Sequence, residues 1–199
     1  MDEGVTDLFV EPEDATPLEP GEREGLIQTW ITTRADLNEA EQASIDTAAA
    51  WATRRRSPDI LSEAFVLELH KRMFGAVWNW AGTFRRTARN IGIDAYRIGP
   101  ELRAMLDDAR FWCANEIYAP DEIAVRLHHR LVAIHPFPKG VGRHARMMAD
   151  LLIRRLGGAP FSWGGGTLAD IGDLRRAYVT VLRAADKNDV GPLLAFARS

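Results

Sequence analysis

The chain has 199 residues, of which 46% are apolar and 27% are charged, as expected for a globular protein with one domain-sized core. No apolar run approaches the roughly 20 residues that a membrane span needs, and the N-terminus lacks the basic and apolar regions of a signal peptide. The single cysteine, Cys113, excludes an internal disulfide and a cysteine zinc cluster. We therefore expect a cytoplasmic protein.

Charge is distributed unevenly along the chain. Residues 1–25 hold nine acidic side chains and one basic side chain, so the remaining residues carry a net charge of +5. The same segment has three prolines and few apolar side chains, and it cannot bury enough surface to offset its ordering entropy. We predict a flexible acidic N-terminal arm over 1–25 and a folded domain over 26–199.

The basic side chains of the chain are mostly arginine, with only three lysines. Arginine binds phosphate and carboxylate groups through two parallel hydrogen bonds, so a mildly basic, arginine-rich domain favours an anionic ligand. Genome composition and solvated helix faces explain the same arginine content without any ligand.

Apolar side chains at helical spacing predict helices through most of the domain. Ser62 and Asp121 are expected N-caps, Pro100 suits a first helical turn, and Thr167 with Asp170 forms a capping-box pattern. The predicted helices cover 37–53, 62–74, 100–116, 121–134, 142–156, 167–185 and 190–197. Residues 82–98 are the exception, because turn residues flank a short strand-like run there and predict a small β-hairpin. The predicted fold is all-α with one hairpin.

One stretch carries the chemistry of the sequence. A buried helix ends at His135, a loop with two glycines follows, and a new helix begins with Arg143 and Arg146 on one face. Glycines let backbone N–H groups approach a ligand, and a helix N-terminus attracts anions. A general base beside a phosphate cradle is what nucleotidyl transfer to a hydroxyl requires. A simple helix–loop–helix connection with a capping histidine and two surface arginines fits the residues equally well. His144, next to Arg143, is expected at the surface.

This stretch, His-Pro-Phe-Pro-Lys-Gly-Val-Gly-Arg, resembles the signature of the Fic (Fido) family, His-Pro-Phe-x-(Asp/Glu)-Gly-Asn-(Gly/Lys)-Arg. Residues 67–74 and the Trp-Ala-Gly-Thr-Phe-Arg run at 80–85 are also similar to that family. Within it, residues 16–199 most resemble the bacterial group called mobile mystery protein B. The resemblance implies a Fic-fold helical bundle with a small β-hairpin flap.

The resemblance also implies an activity, the transfer of AMP from ATP to a Ser, Thr or Tyr hydroxyl of a protein target. His135 would be the general base and residues 85–93 the flap that binds the target by strand addition. An antitoxin-like or helix-turn-helix partner is compatible with the family, whereas a membrane or nucleic acid is not expected. The phosphate-binding residues would be Lys139, Gly140, Val141, Gly142, Arg143 and Arg146. The target-binding residues would be Arg85, Arg89, Asn90 and Ile91.

Two positions depart from the signature. The family's acidic residue holds the Mg²⁺ that bridges the nucleotide phosphates, and Lys139 at that position cannot bind a metal ion. Val141 lacks the side-chain amide of the family's asparagine but retains its backbone N–H. These departures leave three interpretations open: AMP transfer with altered metal dependence, a diverged enzyme with another phosphate-containing donor or a small-molecule acceptor, and a catalytically dead nucleotide- or partner-binding protein.

Two further features are expected to be absent. The adjacent histidines His128 and His129 would point about 100° apart on a helix, so they do not form a metal site. The family's inhibitory pattern, a Ser or Thr followed four positions later by Glu, has no match around Thr32 and Thr33. The sequence therefore does not predict inhibition by a segment of the same chain.

Overall fold

The computed structural model describes residues 18–54, 59–165 and 171–199. The helices in this part of the chain are α1 (Pro20–Arg23), α2 (Arg34–Arg54), α3 (Glu63–Phe74), α4 (Ile98–Asn115), α5 (Pro120–Ile134), α6 (Val141–Arg155), α7 (Ile171–Ala185) and α8 (Gly191–Arg198). The all-α prediction is confirmed. The predicted capping box of Thr167 and Asp170 lies outside the described residues. None of the described helices is both long and apolar enough to cross a bilayer.

Helix α5 is the central element. It packs against α4, α6 and α8, while α2 packs against α3 and α7 against α8. Its side chains Ile123, Leu127 and Leu131 are buried, which explains the apolar character that runs around most of this helix. Asp121 was predicted as its N-cap, but Ala119 occupies that position because Pro120 already forms the first turn. The predicted cap of α3 is confirmed, since the Ser62 hydroxyl accepts a hydrogen bond from the Phe65 N–H at 3.2 Å.

The last residues of the predicted N-terminal arm belong to the folded domain. Leu18 is buried, α1 follows it, and the carbonyl of Glu22 accepts a 2.9 Å hydrogen bond from the Trp80 indole. Leu26 then pairs with Trp78 in an antiparallel bridge. The arm as predicted therefore ends too late in the chain, because residues 18–25 have apolar and hydrogen-bonding partners in the domain. Residues 1–17 of the predicted arm lie outside the described residues.

Residues 82–94, which we call the flap loop, contain no strand, so the predicted β-hairpin is not formed. The backbone N–H groups of its two limbs bond to the last residue of α5 and to the segment that follows it. The Arg85 N–H donates to the Pro136 carbonyl at 2.9 Å, and the Ile93 N–H donates to the Ile134 carbonyl at 3.4 Å. A 3₁₀ turn over Ala95–Arg97 then leads into α4. The flap loop is thereby tied to the end of the helix that carries His135.

Candidate active site

His135 occupies the C-terminal cap of α5 in a left-handed conformation, with φ 52° and ψ 63°. Such a conformation is uncommon for a residue other than glycine, and the surrounding bonds hold it in place. The His135 N–H donates to the Leu131 carbonyl at 3.1 Å. The side chain is 7% exposed, and its Nδ1 atom is buried with no hydrogen-bond partner among the described residues. The imidazole therefore sits just below the surface, at the end of a rigid helix.

Burial, followed by the positive charges of Arg85 and Arg89, lowers the pKa of His135 to about 4. The carbonyl of Val132 opposes this change to a smaller extent. At neutral pH the imidazole is consequently uncharged, which is the form that accepts a proton. The arrangement is compatible with a general base at this position.

Arg85 is buried, contrary to the prediction that it faces a target. Its guanidinium donates to the carbonyl of His135 at 2.6 Å and to that of Thr87 at 2.8 Å, and it also bonds to the carbonyls of Ile93 and Ile134. Five donors in a planar fork suit several carbonyls that converge from two segments. Arg85 therefore fastens the flap loop to the backbone of His135 and is not available to bind a target.

Arg89 is also withdrawn from the surface. Its side chain is 2% exposed and forms ion pairs with Glu19 at 3.1 Å and with Glu22. Because both acids belong to the N-terminal segment, α1 and its cap residue hold the outer limb of the flap loop. The two remaining predicted target residues, Asn90 and Ile91, are exposed.

Gly92 brings the backbone of the flap loop against His135. It has φ +95°, and a Cβ at this position would lie 2.6 Å from the His135 Cβ and 2.9 Å from the Arg85 guanidinium. Only glycine fits this close approach in this conformation. The flap loop thus covers one side of the imidazole.

His70, on α3, supports the loop that follows His135. Its Nδ1 accepts a hydrogen bond from the Gly82 N–H, and its Nε2 donates to the Lys139 carbonyl, both at 3.0 Å. These two partners fix the tautomer with the proton on Nε2. The ring stacks on Phe137 at 3.7 Å between centroids. Burial keeps the pKa of His70 well below its usual value, so the ring stays neutral and the loop stays fixed.

The N-terminus of α6 follows this loop. Gly140 is the N-cap with φ +81°, and a Cβ here would collide with the Phe74 ring at 2.4 Å. The side chain of Val141 is buried, so this departure from the signature fills an apolar position. The N–H groups of Val141, Gly142 and Arg143 belong to the first turn and have no acceptor within the helix. Together with the helix dipole they form a setting that suits an anion.

Arg143 is held by a carboxylate from a distant helix. Glu41 of α2 is 1% exposed, and it accepts a 2.5 Å hydrogen bond from the Arg143 guanidinium and a 2.7 Å bond from the Trp78 indole. The guanidinium also lies over the Phe74 ring, 5.0 Å from its centroid. The side chain of Arg143 is 32% exposed, so it faces solvent as well as Glu41.

Arg146, one turn further along α6, lies in a more enclosed corner. Its Nε donates to the Gly142 carbonyl at 3.3 Å, and its guanidinium lies 5.5 Å from the centre of the Tyr178 ring. The Tyr178 hydroxyl shares a 2.9 Å hydrogen bond with His128. Burial lowers the pKa of Arg146, and the neighbouring charge of Arg143 acts in the same direction. The predicted phosphate-binding arginines therefore do share one region, at the start of α6.

The side chains around the start of α6 do not fit a divalent cation. Lys139 stands at the position of the family's metal-binding acid, and its positive charge repels a metal ion. The carboxylates near this region have other partners: Glu41 binds Trp78 and Arg143, while Asp150 accepts from the Phe161 N–H at 3.0 Å and from the Trp163 indole. No group of three or more potential metal ligands occurs in the described ranges.

Sequence reasoning missed Glu41 and His70 and misjudged His144. His144 is fully buried, with Nε2 bonded to the Val66 carbonyl at 3.0 Å, rather than at the surface. Glu41 supplies a carboxylate to the motif although no inhibitory pattern was found near Thr32. The sequence signal for a buried Glu41 was its helical spacing from Leu37, Ile45 and Ala48, which places it on the apolar face of α2.

Comparison with known proteins identifies the family. Residues 60–153, just under half of the chain, match the model of the Fic/DOC family, so this span of the chain is a Fic domain. The protein adenylyltransferase Fic of Aedes aegypti is 27% identical over 149 residues, which cover 73% of this chain but 28% of that relative. The chain thus spans well under a third of this curated relative.

Solved structures show the same fold. The BepC protein of Bartonella tribocorum, a VirB-translocated effector solved with bound AMPPNP, matches with a TM-score of 0.67 and 18% identity, covering 90% of this chain and 97% of that one. The N-terminal Fic domain of Bep8 from Bartonella sp. 1-1C matches with a TM-score of 0.70 and 14% identity, covering 96% and 94%. The family and fold implied by the sequence are confirmed, while membership of the mobile mystery protein B group stays a prediction.

Proposed function

We propose that this protein transfers AMP from ATP to a hydroxyl group of a protein target. The observation that carries the proposal is the position of His135: a neutral imidazole at the end of α5, joined by a short loop to the anion-binding start of α6. The curated relative named an adenylyltransferase and the neighbour with bound AMPPNP support the same reaction class and donor. The proposal includes the mobile mystery protein B subgroup, ATP as the donor, a Ser, Thr or Tyr hydroxyl as the acceptor and a cytoplasmic location.

In the proposed reaction the target hydroxyl oxygen bonds to the α-phosphorus of ATP, and the bond from that phosphorus to the bridging oxygen breaks. His135 takes the hydroxyl proton, and pyrophosphate leaves. The first-turn N–H groups of α6, from Val141 to Arg143, stabilise the charge on the phosphate oxygens. Arg143 and Arg146 neutralise the leaving pyrophosphate. Backbone hydrogen bonds from the target to the exposed residues Asn90 and Ile91 would align the target segment with the site.

Metal dependence is the part of the reaction that we expect to differ from the family. Lys139 places a positive charge where the family has a metal-binding acid, and Arg143 and Arg146 add two more. These side chains can thus neutralise the phosphate charge that a bound cation would otherwise neutralise. We propose that the protein binds nucleotide without Mg²⁺.

The experiment uses ATP labelled either in the α-phosphate or in the γ-phosphate, added with the protein to a cell lysate. We expect protein to be labelled by ATP that carries the label in the α-phosphate but not in the γ-phosphate, and this labelling should persist when a chelator removes Mg²⁺. With His135→Ala we expect no label. Label from the γ-phosphate would indicate phosphorylation instead. Labelling that persists in His135→Ala would remove His135 from the reaction.

A binding protein without turnover is the second candidate. It is favoured by the Glu41–Arg143 ion pair and by the flap loop, which together leave the arginine partly neutralised and the imidazole mostly covered. Nucleotide binding without any transfer of AMP, by wild type and by Glu41→Gln alike, would support this alternative.

A further inference from the structure

Helix α7 brings a third arginine to the corner that Arg146 occupies. Arg175 precedes Tyr178 by three positions, so the two side chains lie on the same face of α7. The Tyr178 ring lies beside the Arg146 guanidinium, and its hydroxyl is 3.7 Å from where a Cβ on Gly142 would be. This face of α7 therefore packs against the first turn of α6, where the proposed phosphate site begins.

Arg175 has an unmet hydrogen-bonding capacity in this corner. Its Nε atom is buried and has no hydrogen-bond partner in the described part of the chain. Its neighbour Arg176, by contrast, is exposed and paired with Asp173. A buried donor without an acceptor costs free energy, and a ligand that supplies the acceptor recovers that cost.

The charges in the corner are also unbalanced. Arg175 is close enough to Arg146 and Tyr178 that its charge acts on both. Within residues 18–54, 59–165 and 171–199, neither Arg146 nor Arg175 forms an ion pair. The one carboxylate whose charge acts on Arg146 is Asp150, which already accepts hydrogen bonds from Phe161 and Trp163. Two like charges without a carboxylate of their own are most stable with a bound anion.

We propose that Arg175 is a third anion-binding residue of this site and that it contacts the distal end of a chain of three phosphates. The first-turn N–H groups hold the near end, Arg143 and Arg146 contact the phosphates beyond it, and Arg175 contacts the far end. Arg175 thereby makes the site selective for triphosphates over shorter phosphate chains. The inference rests on the proposed function only for the presence of a polyphosphate site, because it requires neither transfer of AMP nor His135.

The test measures the binding of inorganic tripolyphosphate, pyrophosphate and phosphate by calorimetry, with wild type, Arg175→Gln and Arg176→Gln at constant ionic strength. We expect wild type to bind tripolyphosphate most tightly. Loss of one charge-assisted contact should weaken tripolyphosphate binding about tenfold or more in Arg175→Gln, with pyrophosphate affinity changed by less than about threefold. Arg176→Gln removes the same charge from the adjacent position, so it should leave both affinities unchanged.

Equal weakening of tripolyphosphate and pyrophosphate in Arg175→Gln would overturn the selectivity, because it would indicate a general field effect. Equal losses in Arg175→Gln and Arg176→Gln, or no tripolyphosphate binding by wild type, would overturn the site itself. His135→Ala separates this inference from the proposed function, since it should abolish AMP transfer and leave tripolyphosphate binding intact. Thermal unfolding of each variant verifies that the domain remains folded.

Discussion

Glu41 and Arg143 are separated by 102 positions in the chain and meet in an ion pair of 2.5 Å. The carboxylate is buried and also receives the Trp78 N–H, whereas the guanidinium is partly exposed at the start of α6. The pair links α2 to the anion-binding turn. Glu41 also competes with any bound anion for Arg143, because both would pair with the same guanidinium.

Glu41→Gln is expected to separate these two roles. The amide oxygen can still accept from Trp78, but the negative charge that neutralises Arg143 is lost. We expect tripolyphosphate affinity to rise by about three- to tenfold, while the free energy of unfolding falls by about 1–3 kcal/mol because a buried ion pair is broken. Calorimetry and urea unfolding measure the two effects. Glu39→Gln, on the exposed side of the same helix, is the control, and an unchanged affinity in Glu41→Gln would show that the pair does not limit anion binding.

Gly92→Ala is expected to displace the flap loop from His135. A left-handed conformation costs alanine about 1–2 kcal/mol, and the collision with the His135 Cβ adds about 1–3 kcal/mol. Gly157→Ala is a matched control, because Gly157 has φ +85° and nothing within 4 Å of a Cβ. Chemical unfolding should therefore show a larger loss of stability in Gly92→Ala than in Gly157→Ala. Equal losses would mean that the contact with His135 contributes nothing.

Glu22→Gln tests the hold of the N-terminal segment on the flap loop. Arg89 would lose its ion pair with Glu22 and retain the pair with the half-exposed Glu19, so the loop should open more often. We expect the free energy of this local opening to fall by about 1.4 kcal/mol. The rate at which diethyl pyrocarbonate modifies His135 should then rise about tenfold. Peptide mass spectrometry measures that rate, with His129 as the internal reference. Glu24→Gln, an exposed acid of the same segment, should leave the rate unchanged, and a rise there as well would show a general charge effect.

The buried histidines predict a marked dependence of stability on pH. Burial lowers the pKa of His135 and His144 to about 4, and it lowers those of His70 and His128 well below 6.5. Below pH 6.5 the unfolded chain therefore binds protons that the folded protein does not. Stability is highest above pH 6.5 and should fall toward pH 5, with a slope of up to about 1.4 kcal/mol per pH unit for each histidine.

Urea unfolding between pH 7.5 and 5, a window set by those shifts, measures this slope. His135→Gln removes one of the four titrating groups, so its slope should be smaller by up to about 1.4 kcal/mol per pH unit. Stability that is independent of pH over this range would contradict the neutral state of the buried rings.

The helices could be predicted from the sequence because their signals are local. Ser62 caps α3 through its own neighbour Phe65, and the apolar pattern of α5 places His135 at a helix end without knowledge of any other element. The glycines at 140 and 142 likewise marked the loop and the start of α6. The sequence pattern was therefore sufficient to predict those features whose hydrogen-bonding partners lie within a few positions along the chain.

The side chains around His135 could not be predicted in the same way. Two of the carbonyls that Arg85 binds, those of Ile134 and His135, lie about 50 positions away. The acids that pair with Arg89 lie about 70 positions away, so these partners are not visible in the local sequence. The hairpin was predicted from a short strand-like run with turn residues on either side, but the N–H groups of Arg85 and Ile93 bond to Pro136 and Ile134 instead of pairing across a hairpin. Long-range bonds replaced a locally favoured structure.

Mass spectrometry of proteins incubated with ATP tests most directly whether His135 and the start of α6 transfer AMP. Wild type and His135→Ala are each incubated with a lysate, with Mg²⁺ or with a chelator. We expect an AMP adduct on Ser, Thr or Tyr side chains with wild type in both conditions and none with His135→Ala. An adduct that is equally abundant with His135→Ala would contradict the role of His135, and an adduct that requires Mg²⁺ would contradict the metal-independent site.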